Sequence, residues 1–407
     1  MKTKTNEKQG MKILLTGAVL QLFLGIIYVW SVFVMPVSEY FGWAADSAKL
    51  TSSFMLSFFV IGILIGGKIQ TKIGTSTVVL TGGLMMAAGM LLTSFVPPSL
   101  AVLIYVTYGV VGGFGVGMAY NAIITCAQRW FPTRRGFATG ISVCMFGFST
   151  VVFAPLVEAL IGAVGVANTF RILAAAFFLV VIALFRFIKL PPEEQEKAAS
   201  PALSGKQYTT GEILKTKEFY FITLSLMFGT AAYFILNPSF KTLAVERSVD
   251  PALATVLVMI TGIANALGRL AVPALADKIG REWAIMLICM ATCVCAAGLA
   301  VTAGVMFMVV VAVIAFCYGG YSGVYPLITA DYFGLKNVGS NYGAVMVGFA
   351  LSALFFPMLI NLFSLADPEM LPPVVVEMMK CLILAAMASL AAWMVFQLWL
   401  KKRKERV

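Results

Sequence analysis

The chain has 407 residues, of which 60% are hydrophobic and 12% charged, with a formal net charge of +11 and a mean hydropathy of +0.95. Soluble domains carry about 25% charged residues, so a soluble protein is excluded. The positive excess is a matter of topology rather than of nucleic-acid binding, because its distribution follows the apolar spans.

Apolar stretches of about 20 residues are long enough to cross a bilayer. They predict an all-α membrane protein with twelve spans, at 12–35, 51–70, 77–97, 99–125, 137–160, 166–189, 219–240, 251–275, 283–303, 305–330, 340–364 and 374–400. The start, Met1–Gly10, is polar and has no signal-peptide cleavage pattern. In the first span Tyr28 lies mid-way, seven residues after Gln21 and on nearly the same face. The fourth contains GlyGlyPheGlyValGly at 112–117, followed by Tyr120 and Asn121. No strand precedes this run, so it is not read as a dinucleotide loop. Small residues at that spacing let neighbouring helices approach. Arg129 stands near the end of the same span.

The one extended polar stretch, 191–218, is rich in Pro, Ser, Gly and mixed charge and reads as a linker. It divides the spans six and six, giving a bundle at 1–190 and a second at 219–407 that ends in a basic tail. The halves echo each other. LysIleGly at 72–74 recurs within AspLysIleGlyArg at 277–281, and the Gly-rich run of the fourth span has a counterpart at 318–323 in the tenth. Such repeats are frequent in carriers that bind substrate between two halves. Pro36, Pro155, Pro238, Pro273, Pro326 and Pro357 lie in or near span ends and are expected to bend helices.

All but six of the 29 Lys and Arg fall on the side holding both termini; the six are Lys49, Arg171, Lys241, Arg247, Arg269 and Lys380. This positive-inside pattern places both termini in the cytoplasm, in a plasma (inner) membrane. The tail Lys401–Arg406 reads as a topology anchor against anionic lipid.

Arg269 is the only full charge near the middle of a span, inside the apolar run 256–274. A cation at that depth costs about 2.5 to over 10 kcal/mol. No Asp, Glu or His lies at comparable depth, so the anion it faces is read as the substrate. Asn265, one turn earlier, shares its face and can orient the guanidinium fork that matches a carboxylate. Tyr28, Tyr120, Tyr318, Tyr321 and Tyr325 offer rings and hydroxyls at membrane depth. Tyr28 and Tyr120 are the best placed to line a site. Asp277, Lys278 and Arg281 beyond the eighth span, Asp331 near the end of the tenth and Arg129 near the end of the fourth fit links that close one side of a carrier. The chain has no His, and its seven Cys lie in apolar stretches, so no metal, cofactor or catalytic site is expected. It also has no P-loop, HExxH or paired carboxylate at depth. A secondary carrier remains, rather than an enzyme or an ATP-driven pump.

GlyIleIleTyrValTrpSer (25–31), ArgTrpPheProThrArgArgGly (129–136), the stretch from GlyArgLeu to AspLysIleGlyArg (268–281) and that from AspTyrPheGlyLeu to AsnTyrGly (331–343) resemble the major facilitator superfamily. Within it, they resemble the oxalate/formate antiporter family, which includes lactate-type monocarboxylate carriers. The resemblance implies two pseudo-symmetric six-helix bundles, alternating access, a central anion site and a monomeric carrier. It identifies Arg269 with the family's substrate-clamping arginine, and Tyr28 and Tyr120 with aromatic-polar positions lining the cavity. Tyr318 stands where oxalate carriers have a cavity tryptophan. Two departures are expected to matter. Thr71 replaces an acid of the interhelical loop motif in the first half, and Phe349 replaces a second essential cation, a lysine.

One Arg neutralises one carboxylate, whereas a dianion in a low-dielectric cavity needs two cations. The expected substrate is therefore a monocarboxylate such as lactate, pyruvate or formate, carried with a proton. Obligatory anion exchange is the alternative. A carrier of a neutral or amphipathic solute and a membrane anion sensor are further alternatives.

Overall fold

Lipid offers the backbone no hydrogen-bond partners, so an apolar chain must satisfy its own peptide groups within helices. The computed structural model describes residues 2–192, 207–237, 240–364 and 373–404, and among these the regular structure is entirely helical. Residues 193–206 of the expected linker, and Pro238, lie outside the described residues, as does the side chain of Pro357.

The first half consists of α1 (Lys2–Leu24), α2 (Trp30–Phe41), α3 (Ala45–Ile73), α4 (Thr75–Thr93), α5 (Gly113–Trp130) and α6 (Arg135–Leu184). The second consists of α7 (Lys217–Leu236), α8 (Pro251–Ile279), α9 (Arg281–Gly298), α10 (Gly304–Phe333), α11 (Val338–Ser364) and α12 (Pro373–Lys404). Eleven of the described helical segments are long and apolar enough to cross a membrane. One of them, Arg135–Phe187, has 53 residues, about 80 Å if straight against a hydrocarbon core of about 30 Å. It is broken at Gly165, whose φ of 77° and ψ of 170° fall in a region open essentially only to glycine. The break lies in the gap expected between the fifth and sixth spans and divides this segment in two, giving twelve candidate passes among the described residues.

The first pass is longer than its apolar run suggests. A 3₁₀ turn at Gly25–Val29 joins α1 to α2, which continues to Phe41. The fourth pass opens with a π-helical stretch, Tyr105–Gly112. A short helix at Phe240–Glu246 was not expected. The repeated LysIleGly has one conformation in both halves, with φ 84° and ψ 159° at Gly74 and φ 94° and ψ 154° at Gly280. Pro36, Pro155, Pro273 and Pro326 lie inside helices.

The helices group into two compact units, Met1–Thr210 with Phe333–Ala344, and Gly211–Tyr332 with Val345–Val407. In the first, glycines bring backbones together: a Cβ on Gly117 would lie 2.0 Å from the Phe59 carbonyl oxygen, and one on Gly115 2.4 Å from that of Gly82. The Gly-rich run thus joins α5 to α3 and α4. The segment 333–344 belongs to this unit through Asn121, which donates to the carbonyls of Ile63 (2.9 Å) and Gly339 (2.7 Å). In the second unit α8 and α10 meet in the same way, at Gly268, Gly319 and Gly323. All seven cysteines are free thiols, four of them buried.

Candidate functional site

Arg269 is 1% exposed and heads the large, fully buried side chains among the described residues. It lies ten residues before the end of α8, about 15 Å along the axis and hence near the midplane of a core about 30 Å thick. Its Nε donates to Asn265 Oδ1 at 3.0 Å, one turn away, so the helix that carries the cation also orients it. Among the described residues the other buried charges are Arg281 and Glu282, both at the start of α9 rather than at this depth.

Close packing brings α10 against the turn that carries the arginine. A Cβ on Gly319 would lie 2.0 Å from the Asn265 carbonyl oxygen and 3.0 Å from the Arg269 nitrogen. This contact fixes the preceding residue, Tyr318, at the level of the Asn265–Arg269 turn. Tyr318 is buried and stacks face to face on Tyr233 of α7, with centroids 3.8 Å apart and planes at 9°. Phe349 of α11 is also buried, 6.2 Å from Tyr318. Phe234 of α7 meets both edge-on, at 5.5 Å and 5.0 Å. Arg269, Asn265, Tyr318 and Phe349 are therefore organised within the second unit.

Tyr28 and Tyr120 are organised within the first. Both pack on Phe146 of α6, at 5.4 Å and 4.7 Å, and Phe59 of α3 lies 5.2 Å from Tyr120. Gln21 is fully buried and donates to the Tyr120 carbonyl at 3.1 Å. Gly25 admits this arrangement, since a Cβ there would strike the Phe146 carbonyl oxygen at 2.0 Å. Tyr28 sits in the 3₁₀ turn and stays half-buried. Tyr321 and Tyr325 turn elsewhere, to Cys289 Sγ and Ser225 Oγ respectively.

The expected gate residues fall into two groups. In the second unit Arg281 contacts two carboxylates, Asp277 Oδ1 at 2.6 Å and Asp331 Oδ2 at 3.3 Å, tying α8, α9 and α10 together. Lys278 is exposed beside them. In the first unit Arg129 Nη2 donates to the carbonyls of Leu335 (2.9 Å) and Lys336 (3.0 Å). Thr71, at the position of the missing acid, donates to the Lys68 carbonyl of its own helix.

The model of the Major Facilitator Superfamily matches residues 15–357, which spans both groups of residues. The chain belongs to the major facilitator superfamily. It is 25% identical over 361 residues to the uncharacterized MFS-type transporter YhjX of Escherichia coli K12, covering 86% of this chain and 88% of that one. It is 25% identical to the oxalate:formate antiporter of Oxalobacter formigenes (81% and 79% covered) and to the apicoplast pyruvate carrier 1 of Toxoplasma gondii (77% and 68%). Among solved structures, the proton:xylose symporter XylE bound to 6-bromo-6-deoxy-D-glucose has a TM-score of 0.70 at 15% identity, covering 96% of both chains. The transporter FucP in the outward conformation has a TM-score of 0.67 at 15% identity, covering 95% and 99%. These structural likenesses establish the major facilitator fold.

Sequence reasoning missed Phe59, Phe146, Tyr233 and Phe234. It also missed that two lysines of the basic tail form ion pairs with acids of the chain itself. Lys401 pairs with Glu218 at the start of α7, and Lys402 with Glu282 at 2.6 Å at the start of α9. Tyr332 donates to Glu282 as well, at 3.1 Å. Glu218 and Glu282, each in the first turn of its helix, were the available signal, since an acid there is a natural partner for a basic tail.

Proposed function

We propose that this facilitator is a secondary active carrier of a small monocarboxylate, such as lactate or pyruvate, by alternating access with proton symport. The observation that carries the reading is the deeply buried Arg269 held by Asn265. A guanidinium presents a planar fork that fits one carboxylate, and a cation at that depth is most stable when an anion neutralises it. Phe349 occupies the position where a second cation would serve a dianion, and its ring suits a short carbon body. The names of the oxalate:formate antiporter and pyruvate carrier relatives support small organic anions as the substrate class.

In this reading Tyr28 and Tyr120 line the pathway from the first bundle, 1–190, and Tyr318 and Phe349 from the second, 219–407. The stretch 191–218 links them. The Arg281–Asp277–Asp331 cluster and Arg129 act at the cytoplasmic side. Both termini face the cytoplasm, following the positive-inside distribution, and the protein works as a monomer in the plasma membrane with no enzymatic activity.

Obligatory exchange is the second reading, and one observation favours it. Among the described residues no buried Asp or Glu lies at the depth of Arg269, so no carboxylate of that kind is available to carry a proton there. The proton in the symport reading enters because the empty, charged site resists reorientation, so that anion and proton cross together. Uptake of labelled monocarboxylate into empty proteoliposomes under an inward proton gradient separates the two. Symport gives accumulation in empty vesicles, whereas exchange gives uptake only into vesicles preloaded with anion.

A further inference from the structure

Four aromatic rings from three helices converge in the second unit, and two of them, Tyr233 and Phe234, have no role so far. Consecutive residues of an α-helix point about 100° apart, so two neighbours entering one cluster must do different work. Tyr233 lies flat on Tyr318 at 3.8 Å and 9°. Phe234 stands edge-on to Tyr318 at 79° and to Phe349 at 80°, packed against both rings, which are themselves 6.2 Å apart. Edge-to-face contacts place the positive rim of one ring on the negative face of the next and fix their relative orientation. The helices are held in register beside the cluster. Thr230 Oγ1 donates to Ser352 Oγ at 3.0 Å, joining α7 to α11, and a Cβ on Gly348 would strike the Thr223 carbonyl oxygen at 2.2 Å. These contacts hold the backbones of α7 and α11 close together beside the rings. Tyr233 and Phe234 are half-buried, while Tyr318 and Phe349 are buried.

We propose that Phe234 is a specificity-determining residue. Packed edge-on against Tyr318 and Phe349, it limits the length of the carbon chain that the carrier admits, with Tyr233 backing Tyr318. This rests on the monocarboxylate reading and deepens it. The carboxylate is anchored by Arg269 whatever the chain, and the Phe234 ring discriminates by length. One methylene in an apolar pocket is worth about 10- to 200-fold in discrimination, which is enough for a single ring to set the cut-off.

The test is uptake of straight-chain monocarboxylates from acetate to hexanoate, together with lactate, by the native carrier, Phe234→Ala and Phe234→Leu. Thermal unfolding of each purified protein serves as the check on folding. The native carrier is expected to favour the two- and three-carbon acids. Phe234→Ala shifts the ratio of kcat/KM for pentanoate over propionate upward at least tenfold. Phe234→Leu, which keeps most of the volume, shifts it in the same direction by less. Both variants still require a carboxylate and still fail on the corresponding amides. An unchanged length profile in a folded Phe234→Leu or Phe234→Ala overturns this role of Phe234 while leaving the monocarboxylate reading intact. No saturable monocarboxylate uptake by the native carrier overturns that reading, and this inference with it.

Discussion

The Nε of Arg269 and the Oδ1 of Asn265 stand 3.0 Å apart on successive turns of α8, so a buried cation is aimed by its own helix. The bond from Nε sets the plane of the guanidinium. The arrangement makes Asn265 a positioning residue for Arg269, and the consequences of altering it differ by chemistry rather than by size.

Asn265→Leu removes the acceptor while keeping the bulk. A hydrogen bond to a charged group is worth about 1.5–3 kcal/mol, so KM is expected to rise about 10- to 100-fold with a smaller change in kcat. Asn265→Asp supplies a resident anion in place of the substrate and abolishes saturable uptake. Equal effects of the two changes would mean that Asn265 serves only packing.

Phe349→Lys places a second cation on α11 in a buried position, next to the ring of Tyr318. A second charge suits a dianion and penalises a monoanion. The expected outcome is gain of oxalate binding, read as thermal stabilisation by oxalate, together with loss of lactate uptake. Retained lactate preference in a folded variant would place the substrate away from Phe349.

Gly268 and Gly319 seat α8 on α10. A Cβ on Gly268 would lie 1.9 Å from the Phe316 carbonyl oxygen, and one on Gly319 2.0 Å from that of Asn265. Both obstacles are backbone atoms, so the helices must separate. Overpacking of this kind costs about 1–3 kcal/mol, and Gly319→Ala also displaces the turn that carries Arg269. Gly268→Ala and Gly319→Ala are expected to lower thermal stability alike, with Gly319→Ala raising KM more. Native stability in both would contradict the close approach.

Arg281 is 9% exposed and contacts Asp277 and Asp331, each 18% exposed. Arg281→Gln removes the cation from two carboxylates. Breaking a buried pair costs about 3–5 kcal/mol, and the partial exposure of the acids puts this one near the lower end. Adding Asp277→Asn to Arg281→Gln is expected to recover part of the loss, measured by a double-mutant cycle on thermal stability. Strict additivity would show that the two do not interact.

Much of this architecture is legible in the residues. Twelve runs of sufficient length mark the passes, and the break at Gly165 falls where polarity and small side chains interrupt the fifth and sixth. Arg269 stands out because a solitary charge in an apolar run has few structural explanations, and Asn265 follows from helical periodicity. What the residues do not carry is the facing of aromatic side chains. In a soluble helix the apolar stripe marks the core, but a helix that is apolar on all sides gives Phe59, Phe146, Tyr233 and Phe234 no such mark. Trp30 illustrates the point: it is buried and donates to the Ala48 carbonyl at 2.9 Å, and so belongs to packing rather than to an interfacial belt. The engagement of Lys401 and Lys402 is only faintly marked, by the acids in the first turns of α7 and α9, since it joins residues more than a hundred positions apart.

The central claim is that Arg269 anchors the transported carboxylate. Its most direct test is uptake of labelled L-lactate into proteoliposomes under an inward proton gradient, comparing the native chain with Arg269→Gln and Arg269→Lys. Gradient-stimulated, saturable uptake by the native chain, abolished in Arg269→Gln and weakened at least tenfold in Arg269→Lys, is the result predicted, because lysine keeps the charge but loses the planar fork. Uptake that survives unchanged in a folded Arg269→Gln would contradict the claim and make the arginine a structural residue of α8.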